Sequence, residues 1–209
     1  MVNQWTQAEH ALGYLSRAEQ LPHRLEGEAV LLEQIPRNVE RVLDLGTGDG
    51  RLLALVKRKC PHTKGVALDF SPAMLQAAQA RFADDATVEI VAHDFDQPLP
   101  PLGCFDVVVS SFAIHHCPHE RKRSLYEEIF DLLEPGGVFC NLEHVASPTP
   151  ALHERFLYAI GQSPHTDDPS NKLLDVETQL GWLRQVGFAD VDCYWKWLEL
   201  ALLVGVKPA

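Results

Sequence analysis

The chain has no paired-cysteine spacing, no basic block and no apolar run of membrane-spanning length. Its five cysteines, Cys60, Cys104, Cys117, Cys140 and Cys193, are scattered and odd in number. That fits neither a zinc ribbon nor a disulfide framework, and points to reduced thiols. A membrane span takes about 20 consecutive apolar residues, and no stretch approaches that. Met1-Val2-Asn3-Gln4-Trp5 carries no signal-peptide pattern, so a soluble, cytoplasmic protein is expected. Against 29 acidic side chains stand 18 basic ones, a net charge of −11. The densest basic run, Arg121-Lys122-Arg123, reads as a solvated helix face. Phosphate backbones need a positive face, so duplex nucleic acid is not an expected partner, and neither is a membrane. No internal repeat and no long low-complexity linker divides residues 1–209, which read as a single domain.

What is present is a 46% hydrophobic composition over 209 residues, enough for the core of one α/β domain. Residues 6–36 read as helical, with Ala11, Leu15 and Ala18 on one face and Leu25, Ala29 and Leu32 on another, separated at Pro22. Residues 1–38 would form a helical cap. Strand and helix signals then alternate. Strands are expected at Val42–Leu45, Gly65–Asp69, Thr87–Val91, Phe105–Ser110 and Val138–Glu143. Helices are expected at Arg51–Lys59, from Ser71-Pro72 to Phe82, and at His119–Leu133, where Glu134-Pro135-Gly136-Gly137 ends the last. This alternation implies a parallel sheet with helices on both faces. Ligands in such sheets bind beyond the carboxyl ends of the strands, where Asp44, Asp69, Asp94 and Ser110 fall. Residues 146–171 break the rhythm and read as a lid, with a short helix at Ala151–Ile160. A helix at Asp175–Val186 and two strands within Ala189–Val206, paired antiparallel at a sheet edge, complete the chain.

The sharpest local signal is Val42-Leu43-Asp44-Leu45-Gly46-Thr47-Gly48-Asp49-Gly50. A buried strand ends in an acid, three alternating glycines turn the chain, and a helix starts. Glycine lets the backbone approach a ligand closely. A nicotinamide dinucleotide site wants glycine at the first, third and sixth positions. Here the sixth position from Gly46 is Arg51, and Asp44 would repel a pyrophosphate. The turn suits a nucleoside with a cationic amino-acid tail.

Four further motifs follow in order: Gly65-Val66-Ala67-Leu68-Asp69-Phe70-Ser71-Pro72-Ala73-Met74-Leu75, His93-Asp94-Phe95, Phe105-Asp106-Val107-Val108-Val109-Ser110-Ser111, and Leu132-Leu133-Glu134-Pro135-Gly136-Gly137. Together the five resemble those of class I S-adenosylmethionine-dependent methyltransferases, over residues from about 40 to 206. The resemblance implies a Rossmann-like, doubly wound, seven-stranded sheet, mostly parallel with an antiparallel last strand, plus N-terminal helices. It implies S-adenosylmethionine as cofactor, held by Arg24, Asp44, Gly46, Thr47, Gly48, Asp69, Phe70, Met74, Asp94, Phe95 and Ser110. Asp44 and the Ser110 carbonyl would meet the ammonium, Asp69 the ribose hydroxyls, and Phe70 and Met74 the adenine faces. Asp94 and the Phe95 amide would meet the adenine edge, and Arg24 the carboxylate. Tyr14 would close over the cofactor or pack in the core. The tail, with Glu177-Thr178 and Gly187-Phe188, is similar to the carboxy-S-adenosylmethionine synthase branch.

The implied activity is in-line methyl transfer to a small-molecule acceptor. A carboxymethyl-donor synthase, a tRNA or protein methyltransferase, and a non-catalytic cofactor-binding module are the alternatives. His115 and His116 follow the fourth strand, and His115 is the candidate base or orienting group. His115, His116, Cys117, His119, Cys140 and His144 are metal-capable but lack ligand spacing, so no metal is expected. A monomer or homodimer fits the composition.

Overall fold

Along the central strands, successive side chains enter opposite layers because the strand is pleated, and since both faces are covered the strands are apolar throughout. Val42, Val107 and Val109 belong to one buried cluster; Leu43, Leu45 and Val108 belong to the other. The structure, a computed structural model, describes residues 21–209. Tyr14 and the Ala11, Leu15 and Ala18 face lie outside the described residues.

Seven strands form one sheet in the order β3-β2-β1-β4-β5-β7-β6. They are β1 Arg41–Leu45, β2 Lys64–Asp69, β3 Val88–Ala92, β4 Phe105–Ser111, β5 Leu133–His144, β6 Ala189–Trp197 and β7 Leu200–Val206. The first five pair in parallel, and β7 runs against both β5 and β6. The described helices are α1 Arg24–Gln34, α2 Arg51–Lys59, α3 Pro72–Arg81, α4 His119–Leu132, α5 Pro150–Ala159 and α6 Val176–Val186. Leu31 and Ile35, at the end of α1, pack with Leu52, Leu53 and Val56 of α2 on one face of the sheet. Leu125, Tyr126 and Ile129 of α4 pack with Leu180 and Leu183 of α6 on the other.

Local chemistry sets the helix starts. The Asp175 carboxylate accepts from the Thr178 amide at 2.8 Å and caps α6. Thr149 caps α5 with Pro150 in its first turn. Ser71 precedes α3 but makes no side-chain cap bond; the Asp69 carboxylate takes the Ser71 amide at 2.9 Å instead. At the end of α4 the turn residues merge with β5, because the Gly136 amide and the Gly137 carbonyl exchange bonds with the Lys207 backbone.

One expectation is corrected. Within Arg121-Lys122-Arg123, Lys122 is buried, at 1% exposure. Its ammonium donates to the His115 carbonyl at 3.2 Å and to the Lys172 carbonyl. Burial lowers its pKa, and the Glu143 carboxylate opposes that. Arg121 holds the loop after β3, donating to the Phe95 and Gln97 carbonyls at 2.6 and 2.9 Å. The helix turns Arg121 and Lys122 toward neighbouring loops and leaves Arg123 exposed.

The excursion after β5 is closed at its base by the Ala146 amide donating to the Leu174 carbonyl at 3.1 Å. Phe156 and Leu157 of α5 pack into the core. No described helix is long and apolar enough to cross a membrane.

Candidate active site

Strand order reverses between β1 and β4, and a cleft opens there at the carboxyl ends of β1, β2 and β4. Its walls include Arg24, Asp44, Gly46, Thr47, Gly48, Asp69, Phe70, Met74, Asp94 and Phe95. Two expected residues are not on these walls. Ser110 is fully buried and spends its hydroxyl on the Leu45 carbonyl at 2.8 Å. The next residue, Ser111, lines the cleft. His115 lies behind the wall, bonded to Glu143 at 2.8 Å, and His116 lines the cleft.

The glycine turn packs as its sequence requires. Gly46, Gly48 and Gly50 all have positive φ, at 69°, 56° and 80°. A Cβ on Gly46 would lie 2.2 Å from the Ala113 methyl. A Cβ on Gly48 would meet only the Met74 sulfur, at 3.9 Å, and would otherwise occupy the cleft.

Asp44 is 1% exposed, and only one of its oxygens is satisfied. Oδ2 accepts from the Thr47 hydroxyl at 2.7 Å and the Leu53 amide at 3.2 Å. Oδ1 has no hydrogen-bond partner among the described residues, and neither has Ser111 Oγ. Burial pushes the Asp44 carboxyl up to about 7; the Thr47 and Leu53 bonds oppose this, and the Asp69 and Asp49 charges reinforce it. Buried polar atoms are nearly always paired. Two orphans on the walls of one cleft, beside a glycine whose Cβ would fill it, fit a polar, cationic ligand group.

Asp69 closes the second strand. Its oxygens accept from the Gly48 and Ser71 amides, each at 2.9 Å. Burial raises its pKa against those bonds. A carboxylate oxygen has more than one acceptor direction, so Asp69 retains capacity toward the cleft. Asp94 accepts from the Asp96 amide at 3.0 Å and so also makes an ordinary turn. Arg24 is buried beside Glu28 at 2.8 Å, with its guanidinium 5.7 Å from the Phe112 ring. Arg51 clamps the same Glu28 through two bonds of 2.9 and 2.8 Å. Burial alone would raise the Glu28 pKa; the two guanidiniums outweigh it and lower it.

Sequence reasoning missed Ser111, Phe112, Cys117 and the Glu28–Arg51 pair, and of the two adjacent histidines it favoured His115, whereas His116 lines the cleft. Phe112 carried no signal, since its positive φ of 52° is a property of the folded loop. Arg51 was legible only as a helix start. No group of three or more His, Cys, Asp or Glu among the described residues is arranged to hold a metal.

A profile described as "Methyltransferase domain" matches residues 42–137. A demethylmenaquinone methyltransferase of Clavibacter sepedonicus is 32% identical over 187 residues, which is 81% of this chain and 74% of that protein. A carboxy-S-adenosyl-L-methionine synthase of Helicobacter hepaticus is 23% identical, over 84% of this chain and 80% of that protein. The fold matches human N-acetylserotonin methyltransferase, solved with S-adenosylmethionine, at a TM-score of 0.70 and 19% identity. That alignment covers 99% of this chain but 58% of the human one, so the chain spans little more than half of that protein. The 32% identical relative, matched over 81% of this chain, the matched motif core and the cleft at the switch point agree: the chain belongs to the class I S-adenosylmethionine-dependent methyltransferases.

Proposed function

We propose that this enzyme methylates a small-molecule acceptor by in-line displacement within the cleft, and that residues 1–209 act as one domain with a lid at 146–171. S-adenosylmethionine, when bound, supplies a methyl group already activated on a sulfonium. The chain's work is therefore orientation and exclusion of water. The observation that carries this reading is the pair of orphaned atoms, Asp44 Oδ1 and Ser111 Oγ, in the walls of the cleft.

Each residue has a role consistent with its chemistry. Asp44 takes the ammonium of the amino-acid tail, with Gly46, Thr47 and Gly48 carrying the backbone alongside. Asp69 takes the ribose hydroxyls. Phe70 and Met74 flank the adenine, where a thioether packs well on a ring. Asp94 and the Phe95 amide meet the adenine edge, and Arg24 faces the carboxylate. Ser110 steadies the end of β1 through Leu45, and its carbonyl would receive the ammonium. His115, tied to Glu143, acts from behind the wall. The lid reading is supported by the closed base at Ala146 and Leu174 and by the contact between Ser170 and His116 at 3.1 Å.

Calorimetry with S-adenosylmethionine and S-adenosylhomocysteine tests the reading, and no heat with either would remove it. The 23% identical synthase favours a second reading, a carboxymethyl donor. Mass spectrometry of ligand carried through purification separates the two donors.

A further inference from the structure

The link between β3 and β4, residues 93–104, has no helix or strand of its own, and Pro98, Pro100 and Pro101 leave it without an amide donor at three positions. Such a segment needs side chains to hold its backbone. Asp94, Phe95 and Asp96, near its start, line the cleft. The Asp94 carbonyl accepts from the Gln97 amide at 2.9 Å, and Asp94 Oδ1 accepts from the Asp96 amide at 3.0 Å. Helix α4 supplies the rest. Arg121 donates to the Phe95 carbonyl at 2.6 Å and to the Gln97 carbonyl at 2.9 Å. Glu128 accepts from the Leu99 amide at 2.8 Å. Alternate residues of the loop, 95, 97 and 99, are thus tied to one helix.

Arg121 and Glu128 stand two helical turns apart on one face of α4. They grip each other through both terminal guanidinium nitrogens, at 2.5 and 2.9 Å. The Ser124 hydroxyl, between them, accepts from Arg121 Nη1 at 2.8 Å. A guanidinium carries five N–H donors in a rigid fork, and here all of them have acceptors: two loop carbonyls, one hydroxyl and two carboxylate oxygens. The two side chains are only 11% and 28% exposed. Arg121 therefore spends its donors on the fold, and its fork passes the position of α4 to the loop. The far end of the same loop has its own clamp: Arg41, at the start of β1, donates to the Leu102 and Cys104 carbonyls at 3.0 and 2.6 Å.

We infer that the Arg121–Glu128 pair is the positioning device for base recognition: by fixing the backbone at 95, 97 and 99 it sets Asp94 and the Phe95 amide in register with the adenine edge, and so sets the preference for an adenine over a deaminated purine. This rests on the proposed roles of Asp94 and Phe95. The chemistry of the edge gives the pair its leverage. Adenine donates through its exocyclic amine and accepts at the adjacent ring nitrogen, which suits a carboxylate beside an amide. Deamination turns the amine into a carbonyl and protonates that ring nitrogen, so both positions reverse and both protein groups lose their partners. A site built this way rejects the reversed edge only while its groups are held in place. Arg121 and Glu128 touch no ligand; they act through the loop.

The test is calorimetry on the full chain with S-adenosylhomocysteine and its deaminated analogue, S-inosylhomocysteine. The unaltered protein is expected to prefer the first by roughly 10–100-fold, the worth of a charged hydrogen bond. Arg121→Lys keeps the charge but brings three donors to five acceptors; it should lower that ratio by about threefold or more, on the order of one net hydrogen bond. Arg121→Ala should lower it further, and Glu128→Gln, which keeps one acceptor oxygen, by less. A merely structural role would weaken both ligands alike and leave the ratio unmoved. Arg41→Ala is the control: it frees the far end of the same loop, and should lower the melting point while keeping the ratio. A ratio unchanged in the Arg121 and Glu128 variants, or one that falls as far in Arg41→Ala, overturns the inference alone. If the unaltered chain binds neither ligand the methyltransferase reading fails, and if it binds both equally the adenine-edge roles fail; either result takes this inference with it.

Discussion

Asp44 and Glu199 are both buried acids, at 1% and 0% exposure, and they have opposite surroundings. Asp44 has an oxygen without a partner and a carboxyl pushed up to about 7. Glu199, in the turn between β6 and β7, accepts from His144 at 2.9 Å and from His153 at 3.0 Å. Burial alone would raise its pKa, but bonds from His144, Ser147 and His153 outweigh it and lower it. A satisfied buried acid ties elements together; an unsatisfied one calls for a further group, such as a water, an ion or a ligand. Here Glu199 joins β5, through His144, to α5, through His153, while Asp44 faces the cleft.

The largest expected effect breaks the satisfied side. Glu199→Ala strands two histidines and should cost roughly 3–5 kcal/mol, a melting point lower by roughly 6–20 °C for a chain of this size. An unchanged melting curve would show that the Glu199 network contributes nothing to stability.

Asp44→Asn should do the reverse. It keeps an oxygen for Thr47 and Leu53 while removing the charge. Affinity for S-adenosylhomocysteine should fall about 10–100-fold, the worth of a charged hydrogen bond. The ligand-free protein should melt higher at pH 8. The sign follows from linkage: the folded pKa, about 7, exceeds the unfolded one, so the ligand-free fold loses up to about 4 kcal/mol as pH rises from ~4 through 7. Calorimetry from pH 5.5 to 8 sharpens this. Wild-type affinity should weaken below pH 7, and the Asp44→Asn profile should be flat.

A smaller effect concerns His153. Its Nε2 lies 3.2 Å from Asp167 Oδ2. Burial would lower its pKa, but Glu199 and then Asp167 outweigh that and raise it. Its stabilising charge is thus fully present below the unfolded value near 6.5 and is lost as pH rises through the folded value. Protection factors in α5, which remove the intrinsic pH dependence of amide exchange, should be larger at pH 6 than at pH 8.5, and His153→Gln should erase that difference. The smallest effect is Arg121→Ala, which releases the Phe95 and Gln97 carbonyls and should weaken S-adenosylhomocysteine only a few-fold, about the worth of a net hydrogen bond.

Much of the fold was legible because local rules sufficed. The helix expected at Arg51–Lys59 has those bounds, and Phe105–Ser110 lengthens by one residue to Ser111. Gly46, Gly48 and Gly50 all have positive φ, which glycine adopts without steric cost. The site was legible where a motif marks a strand end, as at Asp44 and Asp69. It was not legible where neighbours of like chemistry compete. Ser110 and Ser111 end a strand whose two faces are both apolar, so periodicity does not say which one faces the cleft. His115 and His116 are separated only by a short helical turn that places Ile114 and His115 inward.

The sequence alone determined the order of elements, the turn chemistry and the acids at the strand ends, because propensity, glycine geometry and apolar spacing act over a few residues. The tertiary structure decided that Lys122 lies inside, that Ser170 reaches His116 across 54 positions, and that Glu199 is paired while Asp44 is not. Those outcomes depend on which distant groups share a desolvated space, and desolvation is a property of the packed whole.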